Sequence, residues 1–168
     1  SDNKEAVKAA LAVPSPDRLL IIAQAFRYGL TIDEVQVASK YDPWFLEQIS
    51  QIVETEEKIK LDGLPRTAFE ILKLKKMGFS DDRLGELQNK TSFEIAQLRN
   101  KLNVHPVYKR VDTCAAEFPS KTPYMYSSYE GDGVNLPRCE AEPSENKKVV
   151  ILGGGPNRIG QGIEFDYC

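Results

Sequence analysis

Helix punctuation that recurs at a fixed offset constrains this chain more than any other feature. Thr31-Ile-Asp-Glu34 is a capping box: the threonine oxygen meets an orphan N–H of the first turn, and Glu34 reaches back to the cap. Gly29 stops the helix before it, and Asp42 followed by Pro43 starts the helix after it. The same signals return 49 residues later. Pro16 aligns with Pro65, Ile22 with Ile71, Gly29 with Gly78 and Leu30 with Phe79. Thr31 aligns with Ser80, Asp33 with Asp82, Val35 with Leu84 and Asp42 with Thr91. Trp44 then falls on Phe93, Leu46 on Ile95, Ile49 on Leu98 and Val53 on Leu102. Few of these positions are identical; the agreement lies in residue class and punctuation. A duplicated three-helix unit and two units obeying the same capping rules both account for it. Either way, residues 1–102 read as an all-α body of about six or seven helices joined by short turns.

Within that body the spacing predicts particular faces. Residues 4–11 suit a short helix capped by Asn3. Ser15 reads as the next N-cap, with Pro16 at the first helical position, and Leu19, Ile22, Ala23 and Phe26 share one face. The helix after Asp42 is the longest, with Phe45, Ile49 and Ile52 or Val53 on its buried side. Trp44 and Phe45 are expected in the core, and Glu54, Glu56 and Glu57 on a solvated acidic face beside Lys58 and Lys60.

From Asn103 the helical periodicity dissolves. Residues 103–147 are punctuated by Pro106, Pro119, Pro123, Pro137 and Pro143, with no helical stretch beyond a possible turn at Cys114–Glu117. A loop of that length is foreign to a compact domain unless it lies across a surface. Tyr108, Val111, Phe118, Tyr124, Tyr126 and Tyr129 make it too aromatic for a disordered linker. Residues 131–148, poorer in apolar groups, read as the linker proper.

Residues 148–168 change character again. Val149-Val-Ile-Leu152 is a continuous apolar run that stops at Gly153, Gly154 and Gly155, as a buried parallel strand entering a glycine loop does. Ile159 to Ile163 then leads toward a helix start near Glu164. Two generic nucleotide motifs fail on spacing. Gly155 and Gly160 fit a P-loop, but Gln161 and Gly162 stand where lysine and a hydroxyl belong. Gly153 and Gly155 fit a dinucleotide fingerprint, but Arg158 occupies the third glycine position.

Composition narrows the partners. The net charge is −3, and no segment gathers the basic stripe that phosphate binding requires. Helix, Gly, Leu or Phe, Thr or Ser, helix also imitates a helix-turn-helix. Of its would-be recognition helices, DPWFLEQI and TSFEIAQLRNKL, the first presents Asp42 and Glu47, so neither nucleic acid nor, with no long apolar run, a membrane is an expected partner. Cys114, Cys139 and Cys168 are an odd set without a Cys-x-x-Cys pair and read as reduced cytoplasmic thiols. His105 stands alone before a proline and reads as structural, and Cys114 as a small buried thiol.

Three long blocks then share one resemblance. LGGGPNRIGQGIEFDYC resembles the start of the second synthetase half of the carbamoyl phosphate synthetase large subunit. VHPVYKRVDTCAAEF with TPYMYSSYE resembles the segment before that half, and PDRLLIIAQAFRYGL with DPWFLEQI the helical oligomerisation domain between the halves. The resemblance implies a mainly α fold: a helical oligomerisation domain at 1–102, an extended connector at 103–147, and a truncated α/β strand–glycine loop unit at 148–168. It implies a parent ATP-dependent ligase. That enzyme makes carbamoyl phosphate from bicarbonate, glutamine-derived ammonia and two ATP, for arginine and pyrimidine biosynthesis. ATP with Mg2+ or Mn2+ would be held by lobes outside this chain, and the implied partners are the rest of the large subunit, a glutaminase small subunit and further copies. Arg158, Gly162 and Glu164 would border the passage for reactive intermediates, beside the loop of Gly153, Gly154, Gly155 and Gly160. Arg158 and Glu164 could equally do no more than bind loop backbone, with Asp166 beside them. No catalytic residue and no metal ligand is expected within the chain. A free-standing helical interaction module, or less readily a helical nucleic-acid binder, is the alternative reading.

Overall fold

The computed structural model describes residues 2–111 and 124–152. Their architecture is mainly α, as the sequence predicts. Seven helices stand among the described residues: α1 (Asp2–Ala12), α2 (Arg18–Arg27), α3 (Ile32–Ser39), α4 (Pro43–Asp62), α5 (Ala68–Lys76), α6 (Asp81–Gln88) and α7 (Ser92–Lys101). Two short strands follow, β1 (Val107–Arg110) and β2 (Met125–Ser128).

The capping chemistry acts where the sequence places it. Thr31 Oγ1 accepts from the Glu34 N–H at 3.2 Å, and Glu34 Oε2 accepts from the Thr31 N–H at 2.9 Å. Asp42 Oδ1 accepts from the Trp44 N–H at 2.9 Å, with Pro43 in the first turn of α4. Thr91 and Glu94 form a second full capping box. The repeat extends to backbone geometry. Lys40 and Asn89 end α3 and α6 in left-handed conformations, φ 61° and 52°, and Gly29 and Gly78 turn the chain at φ 74° and 94°. Equivalent side chains are buried in both units: Ile22 and Ile71, Leu30 and Phe79, Val35 and Leu84, Leu46 and Ile95.

Several local expectations fail, each for a visible reason. Asn3 lies inside α1 and does not cap it. Ser15 is not the cap of α2; its carbonyl accepts from the Arg18 N–H in a preliminary turn, and α2 begins two residues beyond Pro16, at Arg18. The buried face of α2 is Ile22 and Ala25, because α1 and α4 pack there, while Leu19 is 54% exposed. On α4 the core position next to the cap is Leu46, which turns Trp44 and Phe45 outward; they are 59% and 55% exposed and meet edge to face at 4.9 Å. The connector is not wholly irregular either. β1 and β2 pair antiparallel with Val107 opposite Ser128 and Arg110 opposite Met125. The turn at Cys114–Glu117 lies outside the described residues. Val149 to Leu152 form no strand and are at least 80% exposed, since a parallel strand needs neighbouring strands to complete its ladder.

Helix α4 joins the two units. Leu46 belongs to the first core with Leu11, Ile22, Ala25, Leu30 and Val35, whereas Ile59 belongs to the second with Leu74, Phe79, Leu84, Leu87 and Ile95. Between them sits Glu56, placed by sequence on a solvated face but only 4% exposed. Its Oε2 accepts from Arg27 Nη2 of α2 at 2.8 Å, and its Oε1 from Arg83 Nε of α6 at 2.7 Å. Burial pushes the Glu56 carboxyl up, but the hydrogen bonds from Arg83 and Arg27 outweigh it and hold it below the ordinary carboxylate range.

The stabilisation from Glu56 should therefore be complete above the unfolded carboxylate pKa of ~4.3 and disappear as pH falls through the lower folded value. Urea melts from pH 6 to pH 3 should show this loss in the native chain and a flatter profile in Glu56→Gln. Glu56→Ala should cost ~3 kcal/mol at pH 7, the low end for a broken buried ion pair, since both guanidinium groups keep some contact with water.

Candidate functional site

The described residues that combine burial, charge and an aromatic group lie at the seam between α5–α7 and the connector. Three charged side chains build its floor. Lys75 stands near the end of α5 and is only 8% exposed. Its Nζ donates to the Phe79 carbonyl at 2.6 Å and to Asp81 Oδ1 at 2.8 Å. Asp81 opens α6, where a carboxylate also favours the positive end of the helix dipole. Arg99 of α7 grips the same carboxylate through Nη2 at 2.7 Å and Nε at 3.1 Å, while its Nη1 donates to the Val104 carbonyl at 3.0 Å. Burial pushes the Asp81 carboxyl up, and hydrogen bonds from Arg99 and Lys75 overcome that and lower it.

The connector lays Tyr129 over this triad. Lys75 Nζ is 5.4 Å and the Arg99 guanidinium carbon 6.0 Å from the ring centroid, both within cation–π range. The ring also packs against the third core cluster, Ile71, Leu72 and Val104. Beyond it the chain stays on the body: Lys76 Nζ donates to the Gly131 carbonyl at 2.6 Å, and Gly133 passes with φ 81° directly over Phe69. A Cβ at Gly133 would lie 2.6 Å from the Phe69 Cα, so only glycine fits this crossing. Asp132 Oδ1 fixes the turn by accepting from the N–H groups of Val134 and Asn135, which holds its carboxyl at about 2. Residue 140 closes the seam at the sheet: the Glu140 N–H donates to the Tyr108 carbonyl, and its carboxylate accepts from the Arg110 N–H at 2.8 Å.

None of these residues was a site candidate by sequence. The channel-lining set Arg158, Gly162 and Glu164, and the loop glycines Gly153, Gly154, Gly155 and Gly160, lie outside the described residues, as do Cys114 and Cys168. His105 is exposed, on the rim of a cavity at the same seam. Cys139 is a free, exposed thiol. Among the described residues no group of three or more His, Cys, Asp or Glu could hold a metal ion. No helix among them is long and apolar enough to cross a membrane. The signal that could have revealed the seam is the repeat itself. Lys75, Asp81 and Arg99 stand where the first unit has Phe26, Ile32 and Ser50.

Comparison with known proteins settles the family. The model of the carbamoyl-phosphate synthetase large chain, oligomerisation domain, matches residues 1–103. The chain belongs to the carbamoyl-phosphate synthetase large-chain family. A second model, the carbamoyl phosphate synthase preATP-grasp domain, matches residues 145–168. Carbamoyl phosphate synthase large chains from Brucella melitensis and Rhizobium meliloti are 62% and 59% identical over 167 residues, covering 99% of this chain. That of Neisseria meningitidis serogroup B is 52% identical over 170 residues, covering all of it. The chain spans about 14% of the length of the first two relatives and 15% of the third. In this member of the synthetase large-chain family the last helix of the body, α7, ends at Lys101, just before the limit of the oligomerisation match at residue 103.

Asp81→Asn should remove the charge that neutralises buried Lys75 and cost ~2–4 kcal/mol, between a lost charged hydrogen bond and a fully broken buried pair. Guanidinium unfolding at pH 7 measures it. Asp82→Asn, on the exposed side of the same turn, should change stability by less than ~0.5 kcal/mol.

Proposed function

We propose that this chain is the oligomerisation and linking segment of a carbamoyl phosphate synthase large chain, a scaffold that contributes no complete active site of its own. Residues 1–102 are the helical domain, 103–147 the connector, and 148–168 the part that, with the rest of the enzyme, supplies the first strand and glycine loop of the next synthetase unit. The parent enzyme is an ATP-dependent ligase of the cytoplasm. It makes carbamoyl phosphate from bicarbonate, glutamine-derived ammonia and two ATP, for arginine and pyrimidine biosynthesis. ATP and its Mg2+ or Mn2+ belong to lobes outside these residues, and glutamine hydrolysis to a small subunit. Arg158, Gly162 and Glu164 border the passage of reactive intermediates beside the glycine loop.

The observation that carries the scaffold reading is the disposition of apolar side chains on the body. Leu20 and Phe69 occupy equivalent positions and are 70% and 59% exposed; Trp44 and Phe93, also equivalent, are 59% and 68% exposed. A body that buries its core repeat positions faithfully, yet shows water large apolar side chains at two matched positions in each unit, is built to be covered. The name of the matched family, an oligomerisation domain, supports copies of the same chain as part of that cover.

Sedimentation equilibrium tests this reading. The chain should self-associate reversibly in the micromolar range, and Trp44→Ala with Phe93→Ala should shift it toward monomer while leaving helical circular dichroism unchanged. A single monomer mass up to high micromolar concentration would remove self-association from the account.

A further inference from the structure

The geometry points to Tyr129 as a latch: the connector from Tyr129 to Pro137 docks on and releases from α5–α7 as one unit, and the Lys75–Asp81–Arg99 platform is its receiving surface. The internal repeat supplies the control for this inference. In the first unit the positions of Lys75 and Asp81 are held by Phe26 and Ile32, which pack against the first core. Apolar residues therefore satisfy the three-helix unit at these places. The second unit replaces them with a lysine and an aspartate that are largely withdrawn from water, and sets Arg99 where the first has Ser50. Replacing buried ions with apolar side chains is often neutral or stabilising, so folding of the unit alone does not call for them.

What distinguishes the second unit is the connector lying on it. Both cations face the Tyr129 ring, at 5.4 Å and 6.0 Å, while Asp81 holds them together and offsets one of their two charges. A ring between two fixed cations gains attraction without forming a directional bond that must break before the ring can leave. The remaining attachments of this stretch to the helices are thin: one lysine on the Gly131 carbonyl, and the Gly133 backbone over Phe69, with Glu130 paired to Lys109 of β1 at 3.4 Å. Val134 and Leu136 beyond it are 86% and 75% exposed and add little apolar burial. Tyr129 is thus the one residue of this stretch in the buried cluster of Ile71, Leu72 and Val104. Holding or freeing it sets whether the chain between β2 and the Glu140 attachment to β1 lies on the body.

Hydrogen exchange of the 168-residue chain, read by mass spectrometry, tests the latch with two variants that keep the site filled. Tyr129→Leu retains apolar bulk and loses the aromatic face; it should speed exchange of residues 129–133 by about tenfold and leave the amides of the β1–β2 ladder unchanged. Tyr129→Phe retains the face and should stay within about threefold of the native chain. Exchange in α2 to α7 should be unchanged in both. Three results would overturn the proposal: Tyr129→Leu exchanging like the native chain, Tyr129→Phe opening as far as Tyr129→Leu, or α5–α7 accelerating together with the connector.

Discussion

The body rests on a carboxylate where two helical units meet. Glu56 is buried on the one helix long enough to reach both cores, and it holds Arg27 of the first unit and Arg83 of the second. Its repeat partner would fall beyond α7, so the clasp is not something the three-helix unit carries by itself. Helix α4 has 20 residues and α7 has 10, and the added length is what brings Glu56 and Ile59 to the second unit. A buried charge gains little net stability, but both of its partners must be in place for it to be tolerated. Glu56 therefore fixes how the units sit together more than it strengthens either.

The same economy of charge recurs at the connector. Each unit closes a core of a few aliphatic residues, and each leaves equivalent large side chains outside. Where the units differ, they differ in ions: Lys75, Asp81 and Arg99 build a surface in the second unit that the first lacks. The connector meets that surface through one aromatic ring, Tyr129, while its glycine crossing lies over Phe69 and its antiparallel pair is internal to it. The helical body thus carries two ionic junctions, each a carboxylate held by two cations, one internal and one facing its own connector.

Much of this was legible in the sequence because caps are local. Thr31 with Glu34, Asp42 with Pro43 and Thr91 need only their neighbours to act, and each acts as its spacing predicts. Burial was less legible because it depends on partners. Helical periodicity offers adjacent stripes, and Phe45 and Leu46 both fit one; only the packing of α2 and α3 on α4 selects Leu46. Glu56 reads as solvated within an acidic run, since its arginines lie 29 and 27 residues away. Tyr129 could be flagged as too aromatic for a linker, but its platform is formed from three helices. The channel-lining residues beside the glycine loop remain a matter of resemblance, because they lie outside the described residues.

The coupling of the two units through Glu56 is most directly tested by native-state hydrogen exchange in rising denaturant, resolved at single amides. In the native chain the slowest amides of the first core, near Ile22 and Leu46, should share one unfolding free energy with those of the second, near Leu84 and Ile95. In Glu56→Ala the two sets should separate into distinct unfolding steps. Separate steps already present in the native chain, or a single shared step persisting in Glu56→Ala, would contradict the claim that this carboxylate makes one body of two.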